Sequence, residues 1–212
     1  MPAAPEVSAA FRGVLAAASP AVRGWGRLEV LGLEHLPSSG PVLIAGNHDS
    51  WWDPVVIGIA AVERRQVRAL AKSTLWKNAM MAKVLDGMGQ IPIDRGSGDA
   101  AALERAVSEL RKGACIGIFL EGTRSHGRTL RARSGLGRIA QAVPEAAIVC
   151  CAVEGTVDLV RFPMRPRLRV HFFAPTHGGL AAGESPGELT ARLLAEIRAL
   201  APVTGHGRDP GR

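Results

Sequence analysis

Tyrosine is absent from this chain, and aromatic residues make up only 4% of its 212 positions. Stacking platforms for nucleic-acid bases, which rely on exposed aromatic rings, are therefore poorly supplied. Cysteine is almost as scarce: Cys115, Cys150 and Cys151 lie inside apolar runs, and an odd number without metal-type spacing makes neither a disulfide framework nor a zinc site. Free cysteine is among the most buried residue types, so all three read as core residues and no metal is expected. No stretch approaches the roughly 18–20 continuous apolar residues of a membrane-spanning helix; the longest runs are Pro54 to Val62 and Ala146 to Val153. The Ala-rich N-terminus lacks a basic start followed by a sustained apolar run, which makes it a poor secretory signal and a cytoplasmic location the expectation. The Gly-x-Ser-x-Gly pattern occurs at Gly183-Glu184-Ser185-Pro186-Gly187, but not directly after an apolar strand as a nucleophile elbow requires, so it gives no support for a serine nucleophile.

What is present is a globular composition, 47% hydrophobic and 21% charged, of a length that one domain can hold. Lys and Arg outnumber Asp and Glu by 26 to 19, giving a net charge of +7 and pointing to an anionic partner or substrate. Two acid-free stretches concentrate that charge: one holds Arg124, Arg128, Arg131, Arg133 and Arg138, the other Arg161, Arg165, Arg167 and Arg169. A solvated, Arg-rich surface is the plain alternative for any single one of them.

Hydrophobic periodicity gives a largely alternating series. Val7, Ala10, Phe11, Val14 and Leu15 share one face of a helix over residues 4 to 17, suited either to covering the core or to lying on lipid. Strand-like residues 27 to 36 and the apolar run 41 to 46 follow. Helices are then expected at about 54 to 63, 75 to 87, 99 to 112, 134 to 143 and 187 to 200. Strands are expected at about 67 to 71, 90 to 93, 115 to 120, 147 to 153 and 167 to 173. Such alternation, with continuously apolar strands, predicts an α/β fold in which a mixed, mostly parallel sheet is covered on both faces. The expected organisation is an N-terminal helical segment over 1–25, one domain over 26–203 and a frayed tail over 204–212.

The residues that carry chemistry fall where strands end. Asn47-His48-Asp49-Ser50-Trp51-Trp52-Asp53-Pro54 puts a histidine after one strand and an aspartate five positions later at a helix start. An imidazole is the natural base for a hydroxyl nucleophile at neutral pH, and a carboxylate beside it would orient the ring. Asp followed by Pro also serves as an ordinary helix start, so Asp53 has a purely structural alternative. Gly89-Gln90-Ile91-Pro92-Ile93-Asp94-Arg95 delivers an Arg fork suited to phosphate oxygens, or to a surface ion pair. Glu121-Gly122-Thr123-Arg124-Ser125 follows an apolar strand. There Gly122 permits a sharp turn, while Thr123, Arg124 and Ser125 offer hydrogen bonds to an anion. A polar turn is the plain alternative, though a carboxylate directly after an apolar strand usually has a specific partner.

Taken in order, His-x4-Asp, Gly-x-Ile-x-x-Asp-Arg and Phe-Leu-Glu-Gly-Thr-Arg-Ser resemble the glycerophospholipid acyltransferase family, whose best-known members make phosphatidic acid from 1-acylglycerol-3-phosphate. The resemblance runs from about Leu36 to Thr156, and Arg133-Ser134-Gly135 with Ile139-Ala140 is similar to the family's basic-glycine helix start. It implies a glycerol-3-phosphate acyltransferase-like fold, with His48 as general base and Asp53 as its partner. The base would promote direct attack on acyl-CoA or acyl-carrier-protein as cosubstrate, with no cofactor and no metal. It also implies that Arg95, Glu121, Gly122 and Arg124, with Lys72 beside them, shape the acceptor phosphate site. Two departures bear on the acceptor: Leu120 stands where the family has Pro, and Ile148-Val149-Cys150-Cys151 replaces a Pro-rich motif.

A lipid acceptor implies peripheral docking on an anionic membrane, expected here on the inner face of the cell membrane. The N-terminal helix and the Arg clusters are the expected contacts, with Trp51, Trp52 and Trp76 as interface contacts or packed side chains. The alternatives are the same chemistry on another lysophospholipid, an aminolipid, a glycolipid or a specialised metabolite; thioester hydrolysis; and, remotely, a non-catalytic binder of anionic lipid or nucleic acid.

Overall fold

A computed structural model describes residues 7–94, 99–163 and 165–203. Its strands are β1 Glu29–Leu31, β2 Val42–Gly46, β3 Val67–Lys72, β4 Ile91–Ile93, β5 Cys115–Phe119, β6 Ala147–Glu154 and β7 Arg169–Phe173. They form a seven-stranded sheet in the order β1-β7-β6-β2-β5-β3-β4. Every neighbouring pair is parallel except β6 and β7. The exception has a simple cause. A helix carries the chain back between successive strands from β2 to β6, whereas β6 and β7 are joined by a loop with only a 3-10 turn at Thr156–Asp158, so β7 returns antiparallel. This is the mixed, mostly parallel α/β sheet expected from the alternation.

The strand β2 is buried throughout, and its side chains divide by a period of two. Val42 and Ile44 join one core with Val149, Cys151 and Val153 of β6, under helices α1 (Ala9–Ser19) and α2 (Asp53–Ala61). Leu43 and Ala45 join the other core with Cys150 and Ala152, under α4 (Ala100–Arg111), α5 (Gly135–Ala142) and α6 (Pro186–Leu200). Fully burying each such aliphatic side chain contributes roughly 1.5–3 kcal/mol, which is why the central strands can be apolar on both faces. The three cysteines lie in these cores as expected. Burial pushes the Cys115 and Cys150 thiols up to about 12 and raises that of Cys151 well above its ordinary value.

Three local outcomes differ from the sequence reading, each for a visible reason. Helix α1 starts later than expected because the Ser8 side chain caps it, accepting a hydrogen bond from Phe11 N, and a π-helical stretch, Pro20–Trp25, extends it. Its apolar face covers the core: Phe11 and Leu15 are buried against Gly58 of α2, where even an added Cβ would sit 3.1 Å from Leu15. Those side chains are therefore not free to lie on lipid. The expected helix over 75 to 87 splits, because Asn78 ends a 3-10 stretch, Ser73–Lys77, and caps α3 (Ala79–Gly87) through Met80 N and Met81 N. The strand-like segment 27 to 36 keeps only β1, since Gly32 turns at φ +65 against Phe172 O and starts a 3-10 turn at Leu33–His35.

The end of the sheet before β2 and β5 is tied by Arg65, which is 2% exposed and has no carboxylate partner among the described residues. Its guanidinium donates instead to the carbonyls of Pro37, Gly40 and Gly113, joining the loops that lead into β2 and β5.

The strands β2, β5 and β6 finish in register, with Gly46 paired to both Phe119 and Cys151. The loops that follow them, carrying His48, Glu121 and Thr156, consequently emerge side by side at the carboxyl edge of a parallel sheet, where α/β proteins place their clefts.

Candidate active site

Just beyond β2, Asn47 turns its side chain into the sheet. Its amide oxygen accepts from Val153 N at 2.8 Å and its amide nitrogen donates to Val153 O at 2.9 Å, extending the pairing of β2 and β6 by one residue. The chain then reverses. Asp53 opens α2, but its carboxylate does not cap that helix; it folds back over the preceding turn. Its Oδ2 accepts from His48 Nδ1 at 2.8 Å, Asp49 N at 2.7 Å and Ser50 N at 2.8 Å, and its Oδ1 accepts from Thr156 Oγ1. Asp53 is thus no side-chain cap of α2: it is 0% exposed and bonded to the imidazole.

An ionised carboxylate only accepts, so with a neutral imidazole a contact of this kind takes the proton on Nδ1 and leaves Nε2 as the basic nitrogen. The ring is further fixed by stacking on Phe119 at 4.0 Å with an interplanar angle of 11°. The backbone of His48 is held as well, its N donating to Glu121 Oε2 at 2.9 Å and its O accepting from Ser125 N at 2.8 Å. Imidazole, carboxylate and backbone are each held by protein groups, which is what general base catalysis requires of geometry.

Phe119 also lines a cleft of about 660 Å³ with Lys72, Gly122, Thr123, Arg133 and Arg138 among its walls. Lys72, Arg133 and Arg138 share this cleft with the carboxylates of Asp94, Asp99 and Glu121, so it offers cationic groups to a phosphate or other anion within a mixed-charge lining, and Phe119 connects it to the imidazole. Gly122 turns at φ +72, and an added Cβ would meet Arg133 at 3.1 Å, so this wall needs both the left-handed turn and the absent side chain.

Of the residues singled out from sequence, His48 and Asp53 are in direct contact, while Lys72, Glu121, Gly122 and Thr123 line the cleft. Glu121 differs from its expected part. Both its oxygens are engaged, by His48 N and by Arg198, and it is 2% exposed, so it braces the histidine turn rather than offering anything to an anion. Arg124 also differs: its guanidinium lies 4.3 Å from the centre of the Trp51 ring, outside the cleft walls. Arg95 lies outside the described residues. Sequence reading missed Arg133 and Arg138 as cleft residues, though both were visible in the first basic stretch. It also missed Asp49, Thr156 and Phe119, whose only signal was adjacency to the motifs. Arg198, more than a hundred residues away in α6, gave no signal at all.

Comparison with known proteins places these observations in a wider set. The family described as Acyltransferase matches residues 27–154. A 1-acyl-sn-glycerol-3-phosphate acyltransferase of Bacillus subtilis is 28% identical over 179 residues, covering 82% of this chain and 88% of that protein. A lyso-ornithine lipid O-acyltransferase of Pseudomonas aeruginosa is 30% identical over 172 residues, covering 80% of this chain and 62% of that protein. Among solved structures, the 1-acyl-sn-glycerophosphate acyltransferase PlsC of Thermotoga maritima superposes with a TM-score of 0.69 at 19% identity, over 89% of this chain and 78% of that one.

The turn also has a pH signature. Burial pushes the Asp49 carboxyl up, but hydrogen bonds from Arg198 and Ser125, the charge of Arg198 and a hydrogen bond from Asn47 outweigh it, and its pKa lies below the ordinary 3.8. A carboxylate depressed in this way stabilises the fold above its unfolded pKa and loses that contribution as pH falls through the folded value. In urea titrations, Asp49→Asn is expected to be less stable than wild type at pH 7 and to close part of that gap below pH 3.8. A gap that stays constant with pH would contradict this account.

Proposed function

The chain belongs to the acyltransferase family, and from that premise we propose that it moves an acyl group from a thioester donor, acyl-CoA or acyl-carrier-protein, to the free hydroxyl of 1-acylglycerol-3-phosphate, giving phosphatidic acid. The observation that carries the proposal is the imidazole of His48, with Nδ1 bound to Asp53 at 2.8 Å and its ring stacked on a wall of the cleft. Nε2 takes the proton of the acceptor hydroxyl as its oxygen attacks the thioester carbonyl. Asp53 stabilises the imidazolium as it forms, and the tetrahedral intermediate collapses with loss of the thiolate. The thiolate then takes the proton back from the imidazolium, so the enzyme returns to its starting state without an acyl-enzyme. Lys72, Arg133 and Arg138 supply the charge that would hold the acceptor phosphate, and Thr123 adds a hydroxyl to the same wall.

A second acceptor class is favoured by one observation. The Pseudomonas aeruginosa relative, similar to this chain over 172 residues, is named for a lyso-ornithine lipid, which is an aminolipid. Leu120, buried where the family carries Pro, lies directly before the wall formed by Glu121 and Gly122 and is a place where acceptor preference would diverge.

Among the described residues no helix is long and apolar enough to cross a membrane. Peripheral docking on an anionic surface, on the inner face of the cell membrane, is therefore part of the proposal. Since α1 buries its large side chains in the core, the contacts move to other exposed groups. Phe162 and Val160, 85% and 72% exposed, project from the loop after β6, and Trp51, 63% exposed, carries Arg124 on its ring. Of the other two tryptophans expected at the interface, Trp52 packs against the core, and Trp76 is half-buried and donates to Asp86. Arg169 is neutralised by Glu29 and Glu154, so the second basic stretch offers less free charge than its sequence suggested.

With long-chain acyl-CoA and 1-acylglycerol-3-phosphate, purified protein is expected to release thiol and form diacyl product, and His48→Ala is expected to lower kcat/KM by about 10³-fold or more. Turnover only with an aminolipid acceptor would move the proposal to the second class; unchanged activity in His48→Ala would remove the base. In vesicle co-sedimentation, Phe162→Ala together with Val160→Ser is expected to weaken binding to anionic vesicles. Binding that ignores anionic lipid content would contradict the docking proposal.

A further inference from the structure

Arg198 stands near the end of α6, beyond the stretch matched by the family. Its guanidinium nevertheless reaches the turn that carries His48. Nη1 donates to Asp49 Oδ2 at 2.8 Å, and Nη2 donates to Asp49 Oδ1 at 2.9 Å and to Glu121 at 2.7 and 2.9 Å. One fork therefore spans two carboxylates that come from loops after different strands. The side chain is 14% exposed, Asp49 19% and Glu121 1%, so these charges are largely withdrawn from water. Withdrawing two neighbouring carboxylates without a cation would set them against each other, whereas a shared guanidinium holds them together.

Each carboxylate in turn grips the catalytic turn. Glu121 accepts from His48 N, Asp49 accepts from Asn47 Nδ2 and Ser125 Oγ, and Asp49 N donates to Asp53. The hydrogen bonds of Arg198 go to Asp49, Glu121 and the Ala201 carbonyl, so it acts through these partners.

The helix that delivers it is well seated. A capping box of Ser185 and Glu188 fixes its start, and Leu189, Leu193 and Ile197 are buried against the sheet. Its first turn packs directly on α5 at Gly137, where an added Cβ would lie 2.1 Å from Pro186 O. Near the other end, Arg198 Nη1 also donates to Ala201 O.

We propose that Arg198 is a positioning residue: it locks the loops after β2 and β5 into the geometry in which His48 meets the cleft, making the C-terminal helix part of the active site. The kinetic arm of its test rests on the acyl-transfer reading given above; the exchange arm does not. Arg198→Met, Arg198→Lys and the control Arg192→Met, in the same helix, which breaks ion pairs with Glu196 and with Glu184 just before the helix, are compared in the full chain.

Arg198→Met is expected to lower kcat by roughly 10²-fold while KM for the acceptor moves less than about threefold, since misplaced catalytic groups cost rate rather than binding. Arg198→Lys, which keeps the charge and loses the fork, is expected to fall between the two, and Arg192→Met to stay near wild type. In hydrogen exchange read by mass spectrometry, the peptide covering residues 46–53 is expected to exchange faster in Arg198→Met, with the central strands unchanged. An unchanged kcat in Arg198→Met, an unchanged peptide 46–53, or a general rise in exchange across the sheet would overturn the assignment. Arg198→Lys carries the same test where the Met variant loses its fold. If wild type turns over no acceptor, the acyl-transfer reading fails by itself, and Arg198 is judged on exchange alone.

Discussion

A single oxygen, Oδ2 of Asp53, accepts from His48 Nδ1 and from the backbone N–H groups of Asp49 and Ser50. A buried carboxylate is tolerated only when such donors surround it, so the carboxylate and the turn stabilise each other. The chemistry follows from the same contact. In the proposed mechanism an acceptor-only carboxylate keeps the proton on Nδ1 and leaves Nε2 for the hydroxyl. Thr156 satisfies the second oxygen and ties this arrangement to the loop after β6.

The sheet makes that contact possible. The strands β2, β5 and β6 are parallel, in register and buried between two apolar cores, so their following loops leave at one level. The loop after β2 brings the imidazole, the loop after β5 brings Glu121 and the cleft wall, and the loop after β6 brings Thr156. Glu121 and Arg198 then join the first two loops, Glu121 accepting from His48 N and from the guanidinium. Arg198 is thus engaged by Asp49 and Glu121, whereas Lys72, Arg133 and Arg138 line the cleft together with Asp94 and Asp99.

The parts of this design that depend on local periodicity were legible in the sequence. Apolar runs ending at Gly46 and Leu120 marked the strands, and the spacing of His48 and Asp53 marked the pair, because a tight turn needs few residues. Parts that depend on distant segments meeting were not. Glu121 reads as a substrate contact until Arg198 is seen to occupy it, and Arg124 reads as a phosphate ligand until Trp51 is seen beneath it. The amphipathic face of α1 suited core or lipid equally; only the position of Gly58 decided for the core. Arg198 had no legible signal, since a basic residue in the last turn of a helix is ordinary in any sequence.

The central claim is that Asp53 holds His48 in the tautomer that leaves Nε2 basic. Nitrogen NMR of protein labelled at histidine, recorded at neutral to mildly alkaline pH, tests it most directly. The account predicts a proton on Nδ1 and a bare Nε2 for His48 in the wild type, with that preference weakened or reversed in Asp53→Asn. A wild-type His48 carrying its proton on Nε2 would contradict it.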